Sequence, residues 1–446
     1  MSATKKYIAL AIVLGLIVSA LATGISDATE VPYENERVSL LPDGSQPTTG
    51  GIGGNILNPD ISYDGRFVAF ASASKQFVPD DTNTKNDVFV RDTESGSIVR
   101  ANVSNSGSQM ELSVRDFAMS DDGKFVVFST EEDDLVSNDN NGKIDVFLRD
   151  LEHETTEKIS VSENNTEGNG NSLGAEISAD GRYVVYQSAA SNLVSGDINS
   201  EIDIFLNDRE LNTTVLISKT QAGTQGNGQS HSPSINCSGS HISFASQASN
   251  LSSNDTNGVS DVFLVDRINN KRLTNITESG NKHSYAKAPI SCAANKLVFK
   301  SSALNLVPTK TDTSNYSDIF AYDINSQNIE YVSVDSSENL VDGHIPLNLT
   351  NSSIDFSGRY AVFAHRSGAL ITGDNNGTED IFIRDLHKGT TQLVSKRSAS
   401  VETTATSQYP AISADGRKII YISADPGLVA NDTNGLSDLF VSNTGL

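Results

Sequence analysis

The stretch from Asp255 to Asp266, Asp-Thr-Asn-Gly-Val-Ser-Asp-Val-Phe-Leu-Val-Asp, recurs in degraded form seven times along the chain. Its phenylalanine falls at Phe89, Phe147, Phe205, Phe263, Phe320, Phe382 and Phe440, at intervals of 58, 58, 58, 57, 62 and 58 residues. A fixed period over so many copies means one supersecondary unit repeated, with neighbouring units burying each other's faces. Length alone, 446 residues, would suggest two to four domains. The repeat replaces that expectation with a single body.

Each copy carries the same punctuation. In the third, residues 175–178 read as a short strand, Ala179-Asp180-Gly181 as a turn and residues 182–186 as a second strand. The Asp-Gly tip is a strong hairpin signal. It recurs at 64–65, 122–123 and 415–416 and as Ser-Gly at 238–239 and 357–358, whereas the fifth copy has Ala293-Ala294, which predicts a differently built turn. An acidic loop, a third strand such as Asp261–Val265 and a fourth such as Thr214–Ser218 complete the unit. No segment shows sustained helical periodicity. The fold class expected is all-β: a seven-bladed β-propeller of four-stranded antiparallel blades. The seventh copy stops after its third strand, and Arg37–Leu40 matches the missing fourth. That N-terminal strand should complete the last blade and remove two sheet edges.

The run Ile177-Ser-Ala-Asp-Gly-Arg-Tyr-Val-Val-Tyr186, followed by a strand and an Asp turn, resembles the WD40-like (PD40) repeats of TolB-type propellers. The resemblance covers residues 36–446. It implies an exported scaffold or interaction protein.

Export is also what the first residues predict. Lys5 and Lys6 precede an apolar run from Tyr7 to Ala22, and Ala20-Leu21-Ala22 offers a small-x-small cleavage site. Residues 1–22 are read as a signal peptide, 23–35 as a linker and 36–446 as the propeller; an uncleaved anchor is the alternative. No later segment could span a membrane. Loss of residues 1–22 leaves 30 basic against 56 acidic side chains, a net −26. Such a charge repels nucleic acid and favours cations. Cys237 and Cys292 hold the same position in adjacent copies and, in an exported protein, either bridge or remain as two buried thiols.

The acidic loops are the sequence's clearest chemistry. Asp pairs six apart occur in every copy, and Asn stands two after the first Asp in all but the fifth. Asp139/Asn141/Asp145, Asp255/Asn257/Asp261, Asp374/Asn376/Asp380 and Asp432/Asn434/Asp438 add a glycine after the Asn. Oxygen donors on a glycine-turned loop suit calcium, and the pattern resembles the calcium loops of integrin-type propellers, shortened by two residues. The competing reading is that Asp and Asn make Asx turns and cap backbone amides. Asp92, Asp150, Asp208, Asp266, Asp323 and Asp385 are read as forming the turn between strands three and four.

Catalysis has weaker signals. His231, His283 and His344 are expected in return loops on one face, where they either line a channel mouth as metal ligands or are solvated. No nucleophile elbow occurs. Carboxylate pairs leave a glycosidase or lyase open, and the absence of Trp weakens a sugar-stacking site. The long return loop at 339–349, with Asp342 and His344, is a further ligand-loop candidate. The function expected is an exported, monomeric, non-catalytic binding or scaffold module for a protein or an extracellular polymer, with calcium as its only candidate cofactor. The alternative is a propeller enzyme with a carboxylate or histidine site at a channel mouth.

Overall fold

A computed structural model describes residues 34–53, 58–137, 139–269, 272–285, 287, 289–313, 316–341, 345, 352–398 and 401–446. It is all-β among the described residues: seven four-stranded antiparallel sheets, six of them ordered in sequence from an inner to an outer strand. The third blade is Ser172–Ile177, Tyr183–Ser188, Asp203–Asp208 and Thr213–Leu216. The last blade takes its outer strand, Asn35–Arg37, from the other end of the chain, where Arg37 pairs with Phe440. The expected register is kept, since Ser39 reaches Asp438 as Ser395 reaches Asp380, but the pairing begins at Asn35 and Val38 only adds a bond to the carbonyl of Leu439. A short hairpin, Lys396–Ser398 with Val401–Glu402, precedes the last blade and has no counterpart in the repeat pattern.

The repeating phenylalanine explains the period. In every blade it pairs across the second and third strands with an aromatic residue, as Phe147 with Phe128, Phe205 with Tyr186 and Phe263 with Phe244. Ring centroids lie 5.5–6.0 Å apart in these three pairs, and all six rings are fully buried. Burial of each is worth roughly 1.5–3 kcal/mol. The hydrophobic clusters run between blades: Ala69, Val88 and Val90 of the first pack on Phe117, Val126 and Phe128 of the second. Each blade therefore needs its neighbour, and an open array would leave two such faces wet.

The turns between strands one and two form a second, polar joint. Tyr63 donates its amide to the carbonyl of Asp121, Ala179 to Cys237, Ala293 to Phe356, Phe356 to Ala414 and Asp415 to Tyr63. The acceptors are equivalent turn positions, each one blade on from its donor, and Ala293 and Asp415 donate from the residue after that position. Gly181 takes φ +72° at such a tip, and a Cβ there would overlap the Phe125 ring of the preceding blade. Ala294 adopts φ +52° where the other copies have glycine. The expected change of turn in the fifth copy does not occur; Ala294 donates to the carbonyl of Ser291 as Gly181 does to Ser178, and the chain accepts the cost of a left-handed alanine, ~1 kcal/mol.

The turns between strands three and four carry the second set of aspartates as read. Asp92 accepts the amide of Glu94 at 2.9 Å, and Asp266 and Asp385 accept the equivalent amides of Ile268 and His387. Three of the set are also gripped by an arginine from the first turn of the same blade: Arg66 on Asp92, Arg182 on Asp208 and Arg359 on Asp385.

Candidate functional site

The acidic loops join strands two and three, and so lie on the face opposite the turns between strands one and two. Their asparagines share one orientation. The side-chain oxygen accepts the amide two residues on, from Lys143 to Asn141, Val259 to Asn257, Thr378 to Asn376 and Leu436 to Asn434, at 2.8–3.0 Å. The side-chain amide then donates to the second aspartate, as Asn141 to Asp145 at 2.8 Å and Asn376 to Asp380 at 2.6 Å. Those aspartates are fully buried and take a hydroxyl from the outer strand or the segment after it: Ser160 on Asp145, Thr277 on Asp261, Ser395 on Asp380 and Ser39 on Asp438.

What lies between the paired carboxylates differs by blade. The outer-strand residue opposite the repeating phenylalanine is Arg100, Lys158 and Arg37 in blades one, two and seven. Lys158 Nζ is 3.0 Å from Asp139 and 2.8 Å from Asp145; Arg37 is 2.7 Å from Asp432 and 3.6 Å from Asp438. The chain thus supplies its own cation at these loops. In blades four and six the same position is Asn275 and Leu393, both uncharged. Burial pushes Asp139 up to about 6 even with Lys158 alongside, and it raises Asp255, Asp261 and Asp438 as well.

His231 lies in the inner strand Ser230–Ile235 rather than in a loop, and burial pushes its pKa down. Its Nδ1 is 3.1 Å from the hydroxyl of Ser232. His283 directly precedes the next inner strand and accepts the amide of Ser260 at 3.0 Å. Both are held by hydrogen bonds within the protein. Asp342 and His344 lie outside the described residues.

The site that the repeat pattern did not reveal is the central channel. Part of it is a cavity of about 180 Å³, walled by residues of all seven blades near the turns between strands one and two. Asp60, Asp121 and Glu176 line it together with a single base, Lys287. Asp60 holds the amides of Ile61 and Met119, both at 2.8 Å, and so ties blade one to blade two. Glu176 forms an ion pair with Lys287 across the channel. Burial raises the pKa of Asp60 and of Glu176, although the Met119 amide and Lys287 respectively oppose it. Burial works against charge on Lys287, but Glu176, Asp60 and Asp116 together hold that pKa up. Asp121 is pushed up to about 7, first by burial and then by its acidic neighbours Asp60 and Asp122. Acid exceeds base on this wall, so a further positive charge is stabilised there.

Seven equivalent turn positions ring the mouth: Tyr63, Asp121, Ala179, Cys237, Cys292, Phe356 and Ala414. Tyr63 and Phe356 meet edge to face at 6.0 Å, and both rings remain more than two-fifths exposed. Cys237 and Cys292 have Cα atoms 4.8 Å apart and are joined as a disulfide. That link lies between blades four and five, where no backbone bond of the ring is made among the described residues. Inner-strand bulges place Gly174 and Ser232 at positive φ beside this wall, and bulges re-aim side chains in this way. The channel was hidden because each blade contributes only two to four residues to it, and its charged ones stand at positions where the repeat does not agree with itself. Just before the inner-strand isoleucine or methionine, the seven copies read Asp60, Ala118, Glu176, Ser234, Pro289, Ser353 and Ala411. Two acids among small residues was the available signal.

No family model matches the chain, and no curated protein matches it in sequence. Solved structures match its fold. An oligogalacturonate lyase from Vibrio parahaemolyticus superposes with a TM-score of 0.53 at 13% identity, covering 94% of each chain. The β-propeller domain of the Trilobed protease from Pyrococcus furiosus gives 0.50 at 12% identity, covering 88% of this chain and 95% of the domain. TolB from Acinetobacter baumannii gives 0.41 at 15% identity over 73% of this chain and 62% of its own. At such identities the likeness is one of fold.

Proposed function

We propose that this seven-bladed propeller is an exported, non-catalytic binding module whose channel mouth receives a cationic segment of a partner protein. The observation that carries the reading is the channel wall, where Asp60, Asp121 and Glu176 face one lysine. A lysine or arginine side chain entering there meets carboxylates already short of counter-charge. Tyr63 and Phe356 at the rim offer the exposed aromatic contact that protein interfaces favour. Export is supported by the apolar run Tyr7–Ala22 behind Lys5 and Lys6 and by the placement of the cysteine pair. Calcium, in this reading, belongs to the loops at Asp255/Asn257/Asp261 and Asp374/Asn376/Asp380, where the chain places no lysine or arginine opposite the phenylalanine.

The lyase reading has only the shared fold behind it, and the charge of the channel opposes it, because a uronate oligomer is a polyanion. Calorimetric titration separates the two. An arginine-rich peptide should bind saturably, more weakly as salt rises, and lose affinity in Glu176→Gln. Turnover of a uronate oligomer, or equal binding of a glutamate-rich peptide, would overturn the proposal.

A further inference from the structure

Among the described residues, one set of three potential metal ligands has its donor atoms within 4.8 Å of one another: Asp121, Cys237 and Cys292. They come from blades two, four and five and meet at the channel mouth. Asp121 Oδ2 is 2.9 Å from Cys237 Sγ and 3.5 Å from Cys292 Sγ. A tetrahedral zinc-like ion, with bonds of ~2.3 Å to sulfur and ~2.0 Å to oxygen, sets each sulfur–oxygen separation near ~3.5 Å. The carboxylate thus already stands about where a ligand completing a two-sulfur site would stand. As a disulfide the two sulfurs cannot bind the ion.

We propose that Asp121, Cys237 and Cys292 form a redox-gated site for a thiophilic divalent cation, closed by the disulfide and opened when a dithiol reduces it. The dithiol gives two electrons and two protons: the Cys237–Cys292 bond breaks, each sulfur gains a proton, and the reductant becomes a disulfide. The cation then displaces both thiol protons to solvent. It takes two thiolates and one oxygen of Asp121, and its fourth position opens toward the cavity and takes water. Two thiolates and a single carboxylate select a zinc-class ion over calcium or magnesium, which prefer all-oxygen sets. The oxidised chain staples blade four to blade five directly; the reduced, metal-loaded chain ties both to blade two. This goes beyond the peptide-binding proposal, which concerns the oxidised chain and is tested on it.

The test uses the full chain, reduced with excess dithiol and desalted without oxygen, then titrated with cobalt(II). The expected result is a sulfur-to-cobalt charge-transfer band saturating at one ion per chain, displaced by zinc and absent from the oxidised chain. Cys237→Ser should abolish the band. Asp121→Asn should keep thiolate character but weaken binding by roughly tenfold or more, the scale on which metal sites lose affinity when a supporting group is removed. Asp121→Glu, which keeps the oxygen, should recover part of the loss and guards against a folding defect in the amide variant. The proposal is overturned if a reduced chain with two titratable thiols gives no saturable band, if Asp121→Asn binds as the parent does, or if reduction unfolds the chain.

Discussion

Lys158 offers the sharpest test of how the acidic loops are held. Its ammonium lies 3.0 Å from Asp139, 2.8 Å from Asp145 and 3.3 Å from Glu167, with 6% of the side chain exposed. Lys158→Met keeps most of the volume and removes the charge. Two buried carboxylates then face each other without a cation. Breaking a buried pair in this way costs about 3–5 kcal/mol; the partly exposed Glu167 lets water in and places the estimate at about 3 kcal/mol at pH 7.5. Asp139 stands at about 6 even with Lys158 present, so in the variant one of the pair takes up a proton near neutrality. Each pH unit below that point returns about 1.4 kcal/mol for that proton, and the penalty should fall to about 1.6 kcal/mol at pH 6. Urea unfolding at both pH values measures this, with the slope checked for constancy. Adding Asp139→Asn should restore most of the loss, since an amide needs no counter-ion. A variant within 0.5 kcal/mol of the parent at pH 7.5, or equally destabilised at both pH values, refutes the reasoning.

Three further outcomes follow from the same geometry. Asp87 is pushed up to about 6 by burial, against the help of Asn102. A carboxyl raised on folding gives stability that is full below its unfolded pKa, ~3.9, and lost as pH climbs through 6; relative to Asp87→Asn, the parent should therefore lose stability between pH 4 and 6.5 in urea titrations at fixed salt. Gly181→Ala should cost at least ~2 kcal/mol, because it combines a left-handed backbone with displacement of the Phe125 ring; thermal unfolding checks it, and Gly142→Ala, where no atom lies within 4 Å of the added carbon, should cost less. If blades four and six bind calcium, the melting midpoint should rise saturably with calcium added after EDTA, and Asp255→Asn with Asp374→Asn should remove the rise while Asp139→Asn should not.

Much of the fold was legible because one unit is written seven times. Phe89, Phe147 and their equivalents fix the third strand, the Asp-Gly tips fix the first turn, and the truncated last copy calls for an N-terminal strand. The strand edges were less so: Asn35 pairs although only Arg37–Leu40 resembles the other copies, because backbone bonds to Ser442 ask for no particular side chain. The aspartates were found, but their surroundings were not. Whether an Asp pair meets Lys158 or Leu393 is decided by strand register, which the loop itself does not encode. The channel was least legible, since Asp60, Asp121, Glu176 and Lys287 come from different blades and meet only when the ring closes.

The most direct measurement is amide hydrogen exchange on the oxidised chain, with and without a saturating arginine-rich peptide. Occupation of the channel mouth should slow exchange at Ile61, Tyr63 and Met119, which lie on or beside the carboxylate wall, and leave the acidic loops on the opposite face unchanged. Protection confined to the loops around Asp255 and Asp374, with none at the channel mouth, would contradict the account.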